Sequence, residues 1–178
     1  MTPRLDAGAI LAQREVSIGP EETAGELHER LAEVGAAAVG EVVARLAAGE
    51  PVAGRPQPRE TGFFARKLTK EDGRIAWGLG AVDLKNLVRG LTPWPGAFTE
   101  LASDDSRRKV ALLRVEVVEG DEGAAPGVVL RADDAEGVVV RAGEGAVRIL
   151  ELRPAGARAI SGMDFIHGYG VRPGDQFT

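Results

Sequence analysis

The sequence holds no cysteine and only two histidines in 178 residues. Without cysteine there is no disulfide framework, no thiolate metal site and no cysteine nucleophile. His28 and His167 alone cannot build the usual histidine-rich zinc site, so no metal centre is expected. His28, among Glu26 and Glu29, has no titratable partner at a helical spacing and reads as a surface residue. Nowhere do about 18 uninterrupted apolar residues occur, and residues 1–6 lack the apolar run of a signal peptide. A soluble, cytoplasmic protein without membrane contact is the expectation.

What is present suffices for a packed core. Apolar residues make up 44% of the chain, enough for one ordinary domain or two small ones. The net charge of −5 argues against a generally basic, nucleic-acid-coating surface. Its distribution is uneven: residues 1–60 hold 6 Lys+Arg against 10 Asp+Glu, and residues 61–178 hold 16 against 17. The second part can therefore carry a local basic face without a basic total.

Residues 8–18 read as a strand stopped by Gly19-Pro20. Thr23-Ala24-Gly25-Glu26 is a capping box, and Leu27, Leu31, Val34, Ala38, Val42 and Leu46 then step by three or four along one helix face that Gly49 is placed to end. Residues 50–59 contain Pro51, Pro56, Pro58 and Gly54 with no apolar period, which marks a stiff linker and the best domain boundary. The division expected is 1–50, a linker at 51–60, and 61–178. The segment from Arg66 to Arg74 packs Arg66, Lys67, Lys70 and Arg74 into nine positions, diluted by Glu71 and Asp72. It is either a solvated charged turn or a phosphate-contacting element.

A second helix over residues 81–89 places Leu84, Leu87, Val88 and Leu91 on one side. Five strand-like runs follow, at 97–101, 110–118, 128–130, 138–140 and 147–152, separated by turn signals at roughly ten-residue intervals. They predict a small antiparallel barrel or sandwich, best a five-stranded oligonucleotide-binding-type barrel. Gly143-Glu144-Gly145 joins strand to strand, and without a helix N-terminus behind it cannot cradle a phosphate. Ser161 opens a short helix. Between helix and strands, Pro93 and Pro95 bracket Trp94, which reads as the buried plug of a rigid corner.

Three separated motifs, Lys67-Leu68-Thr69-Lys70-Glu71-Asp72, Leu91-Thr92-Pro93-Trp94-Pro95-Gly96-Ala97-Phe98 and Pro154-Ala155-Gly156, carry a resemblance. From about Leu5 nearly to its end the chain resembles the C-terminal part of the methionyl-tRNA formyltransferase family. That resemblance implies an α+β chain: a strand-helix remnant of a Rossmann-like formyltransferase domain, then a five-stranded OB-fold-like antiparallel β-barrel. It implies formyl transfer from 10-formyltetrahydrofolate to initiator methionyl-tRNA by a complete enzyme whose asparagine, histidine and folate pocket lie outside this sequence. This chain alone is then expected to be inactive and to bind no cofactor itself.

Asp6 matches the family's catalytic aspartate, with Ala7 where a threonine is usual; it could orient a histidine or accept a proton. Further departures are Ala76 before Trp77 and Ala157-Arg158 after the Pro-Ala-Gly motif. The expected tRNA contacts are Arg66, Lys67, Lys70 and Arg74, extended by Arg107, Arg108 and Lys109 at the first hairpin. Leu27, Leu31 and Val34 would rest on a sheet this chain lacks, leaving them partly exposed or used in self-association. Two other readings remain. One is a different formyltetrahydrofolate-dependent hydrolase, dehydrogenase or sugar-nucleotide formyltransferase, against which the Thr92–Ala97 motif speaks. The other is a non-catalytic RNA-binding or interaction module.

Overall fold

The computed structural model describes residues 7–57, 65–103, 106–120 and 123–178, which fall into two compact units meeting in sequence at Lys67 and Leu68. The first unit is organised by one helix, α1 (Ala24–Ala47). The capping box forms as read: the Thr23 N–H donates to Glu26 Oε2 at 2.8 Å and the Glu26 N–H donates to Thr23 Oγ1 at 3.3 Å. Each bond satisfies a donor that the helix start leaves open. Gly49, just past the end, takes the left-handed φ of 74°.

No residue of α1 is buried. Leu27 and Val34 are half-buried and Leu31 is exposed, as expected for a stripe without a covering sheet. Leu11, Ala38, Val39, Val42 and Val43 line an apolar groove of about 470 Å³ beside the helix. The strand expected over residues 8–18 does not form. Only a bridge is made, the Ile10 N–H donating to the Arg55 carbonyl at 2.8 Å and the Arg55 N–H returning at 3.0 Å. A strand exists through its neighbours, and the described part of this unit offers residues 8–18 no second extended segment beyond that bridge.

The second unit begins with a 3₁₀ turn, Lys70–Gly73, followed by α2 (Ala81–Gly90). Seven strands then build one sheet: β1 (Ala97–Ser103), β2 (Ser106–Val118), β3 (Val129–Asp133), β4 (Gly137–Arg141), β5 (Ala146–Pro154), β6 (Ile160–Ser161) and β7 (Gln176–Phe177), with α3 (Gly162–Tyr169) between the last two. The order is β3-β4-β5-β2-β1-β7, with β6 on β5. All named pairings are antiparallel. The two outer strands turn back on each other: the Phe177 N–H donates to the Gly127 carbonyl and the Val129 N–H to the Asp175 carbonyl, both at 2.8 Å. The sheet is thus a nearly closed barrel, which removes most of the exposed edge.

All five expected runs are strands, but the described residues form seven strands rather than five. β6 and β7 are two residues each, too short for any alternation to show in sequence, and exist because β5 and β1 offer them partners. Alternation sends Val110 and Leu112 of β2 inward, and an irregularity in the β2–β5 register lets both Ile149 and Leu152 of β5 face the core, where they join Phe165 of α3 and Leu84 and Val88 of α2. The buried tryptophan is Trp77, not Trp94. Trp77 Nε1–H donates to Thr99 Oγ1 at 3.0 Å, and the Thr99 hydroxyl donates to the Thr178 carbonyl at 2.9 Å. Trp94 is 54% exposed. The corner it was expected to plug is filled by Leu91, whose carbonyl accepts from the Gly96 N–H at 2.9 Å. Among the described residues no helix is long and apolar enough to cross a membrane.

Candidate nucleic-acid interface

The residues that directly follow the first motif, and the turn of the third, meet the second motif around Phe98. Gly73 closes the 3₁₀ turn against the corner: a Cβ there would stand 2.0 Å from the Gly96 carbonyl oxygen and 3.3 Å from the Phe98 ring. Only glycine permits that approach. The next residue, Arg74, bridges Phe98 in parallel, and the Ile75 N–H donates to the Phe98 carbonyl at 2.9 Å. From the far side, the Ala155 N–H of the Pro154-Ala155-Gly156 turn donates to the Lys109 carbonyl at 3.0 Å.

Strand register decides which side chains share this surface. Phe98 stands opposite Ala111, and Ala111 opposite Arg153. Ala97, Thr99, Val110, Leu112 and Leu152 between them point into the core. Phe98, Lys109, Ala111 and Arg153 therefore line the outer face. Together with residues 154–157 they enclose a groove of about 200 Å³. The Lys109 ammonium lies 3.9 Å from the centre of the Phe98 ring, inside the range of a cation–π contact. Its cross-strand neighbour Glu100 does not form an ion pair with it.

Two half-buried barrel arginines are differently placed. Arg131 pairs with Glu136 at 2.6 Å and Arg148 with Glu116 at 3.3 Å. A second groove, of about 440 Å³, holds Arg114 and Arg158 together with Glu151 and Asp164 and so presents both signs. Among the described residues, the groove at Phe98 has cations and no carboxylate in its lining.

The sequence-derived candidates separate on this map. Asp6 lies outside the described residues. Arg66 and Lys67 are exposed at the end of the first unit. Lys70 and Arg74 are exposed in and beside the 3₁₀ turn. Asp72, whose charge would oppose them, is drawn into the turn: its Oδ2 accepts from the Thr69 N–H at 2.7 Å and from the Thr69 hydroxyl at 2.9 Å. Of the hairpin cations, Arg107 and Lys109 alternate onto the outer face, while Arg108 takes the opposite one and sits 4.5 Å over the Tyr169 ring. Sequence reasoning missed Phe98 and Arg153. Arg153 directly precedes the Pro-Ala-Gly motif, but only the β2–β5 register brings it to Lys109.

Residues 67–170 match the family model described as formyl transferase, C-terminal domain. A methionyl-tRNA formyltransferase of Parvibaculum lavamentivorans is 40% identical over 175 residues, which are 98% of this chain and 55% of the relative. One of Chelativorans sp. is 39% identical over 178 residues, 100% of this chain and 55% of the relative. One of Symbiobacterium thermophilum is 39% identical over 180 residues, 100% of this chain and 53% of the relative. The chain spans about half the length of these relatives. Among solved structures, a variant of HypX from Aquifex aeolicus superposes with a TM-score of 0.69 at 21% identity, covering 97% of this chain and 30% of that one. HypX in complex with tetrahydrofolic acid gives 0.66 at 21%, covering 94% and 29%. At that identity the likeness establishes the fold alone.

Proposed function

Because the chain belongs to the formyl transferase C-terminal domain family, we propose that it is the tRNA-holding part of a methionyl-tRNA formyltransferase, acting in the cytoplasm. The complete enzyme would move the formyl group of 10-formyltetrahydrofolate to the amine of initiator methionyl-tRNA. What carries this reading is an outward groove where two of the family motifs meet, at Phe98 and at Pro154-Ala155-Gly156, and whose cations have no carboxylate partner among the described residues. Unpaired cations on a rigid sheet suit an anion, and an RNA backbone presents anions at regular intervals.

The work of these residues is positional. Lys70, Arg74, Arg107 and Lys109, with Arg66 and Lys67 just before them in sequence, would neutralise phosphates and release counterions. Such contacts set the register of the acceptor arm without reading bases. Holding the methionyl end in place converts an encounter of two molecules into a reaction within one complex, and that is the contribution of this half to catalysis. Asp6 would serve the chemistry of the other half, orienting a histidine or accepting the amine proton. The uncovered stripe of α1 supports the same reading. A face that size calls for a further packing surface, which we place in the relatives' additional length, and self-association is its substitute when the chain is alone.

The experiment is equilibrium binding of the chain to initiator tRNA over a range of salt, beside a formylation assay with 10-formyltetrahydrofolate. Salt-dependent binding without turnover is expected. Changing Lys67 and Lys70 to alanine should weaken cognate and non-cognate tRNA about equally and flatten the salt dependence by roughly one unit per lost contact. Absence of salt-dependent binding in the unaltered chain, or formylation by the chain alone, would sink the reading.

A further inference from the structure

We propose that the groove floored by Ala111 is a clamp for a single phosphodiester of the RNA backbone, gripped between the Lys109 ammonium and the Arg153 guanidinium. Phe98 is the positioning residue that holds Lys109. The proposal rests on the tRNA-binding reading and adds to it a discrete subsite with two residues that the sequence motifs do not contain.

Size and chemistry choose the occupant. A volume of about 200 Å³ is below the roughly 300–1,000 Å³ typical of small-molecule pockets, and fits a phosphate with its ribose rather than a whole cofactor. Phe98 and Arg153 flank Ala111 from β1 and β5, two strand spacings or roughly 10 Å apart, a gap that long cationic side chains close around a phosphate. The methyl of Ala111 leaves the floor open. Arg153 supplies a planar fork that can grip two phosphate oxygens at once, and Lys109 a point charge.

The aromatic ring fixes the division of roles. An exposed lysine ordinarily samples many rotamers, but here the ring face holds the ammonium at 3.9 Å in the groove wall. The same contact occupies that ring face, so Phe98 is not a platform for a stacked base. Gly156, at a left-handed φ of 76° in the turn beside the groove, has no atom within 4 Å of where a Cβ would stand, so a sugar can pass over it. Glu100 lies across the strand pair from Lys109 without pairing to it, and among the described residues no carboxylate lines the groove.

The test is tRNA binding by the full chain at several salt concentrations. Lys109→Ala and Arg153→Ala should each lower affinity about 5- to 10-fold and flatten the log–log salt slope by about one unit, and together by about two. Arg153→Lys should keep the slope. Arg148→Ala, whose partner is Glu116, should leave it unchanged. Phe98→Leu should keep the slope, lower affinity about threefold, and shrink the effect of a further Lys109→Ala change. Trp77 fluorescence checks that each variant is folded. Unchanged slopes in both Lys109→Ala and Arg153→Ala, with the unaltered chain still binding, would overturn the clamp and leave the tRNA reading standing. A flattened slope in Phe98→Leu would overturn the positioning role. Failure of the unaltered chain to bind would remove both readings.

Discussion

The two units make opposite use of apolar sequence. The first spends 24 residues on a helix that buries none of them, leaving Leu31, Val39, Val43 and Leu46 exposed. In the second, α2, α3 and the barrel cover one another, and every buried apolar residue described lies at Ile75 or later. Both contain amphipathic patterns of ordinary quality, so the pattern alone does not provide cover. A sheet that nearly closes supplies its own opposite wall, whereas a single helix needs a surface from elsewhere. The first unit is held by polar contacts rather than a buried core: the Thr23–Glu26 capping box, the Arg30–Glu22 pair at 2.8 Å, the Arg45–Glu50 pair at 3.1 Å, the Arg14–Glu41 pair and the Ile10–Arg55 bridge.

The sharpest way to break this contrast is to cut into each unit separately. Phe165→Ala should destabilise the barrel by about 3–5 kcal/mol, whereas Val39→Ala should cost under about 1 kcal/mol. Both tryptophans belong to the second unit and the longest helix to the first. Denaturation followed by tryptophan fluorescence and by ellipticity at 222 nm should therefore give transitions that do not coincide, the helical one first. Coincident transitions, or equal costs for the two substitutions, would show that the units are one cooperative body.

A smaller effect is expected at Gly73. Adding a methyl drives it into the Gly96 carbonyl, so Gly73→Ala should cost about 1–3 kcal/mol in the fluorescence transition. It should also weaken tRNA binding, because the 3₁₀ turn carries Lys70 beside Arg74. A neutral substitution would mean that the turn does not depend on the corner. Smaller again, Thr23→Ala should remove about 1 kcal/mol from the helical transition alone. A shift of the fluorescence transition would couple the units.

The least effect comes from acid. The Gly19 N–H, and after it the Arg30 guanidinium, hold the Glu22 carboxyl below its ordinary pKa of 4.5. A depressed carboxylate contributes stability that is present above its unfolded pKa and lost as pH falls through the folded value. The helical signal should therefore soften only on acidification below the usual carboxylate range. Glu22→Gln should remove that part of the acid dependence, and softening already between neutrality and that range would contradict the assignment.

Local physics made much of this chain legible. Thr23-Ala24-Gly25-Glu26, Gly49, the run ending at Gly90, Ser161 and five strand runs each carry their signal within a few residues, through caps, turns and alternation. Wherever the outcome needed a partner, the sequence was silent or misleading. Residues 8–18 have strand composition, but among the described residues they pair only through the Ile10–Arg55 bridge. Trp94 has the composition of a plug, but Leu91 and Trp77 take the interior places. Arg107, Arg108 and Lys109 read as one basic cluster until alternation sends Arg108 to Tyr169 and the β2–β5 register replaces it with Arg153. The one-dimensional chain determined which segments could be helix or strand and where cations were dense. Which cations share a face, and which are neutralised, was decided by strand register, because residues 44 positions apart such as Lys109 and Arg153 become neighbours only when β2 pairs with β5.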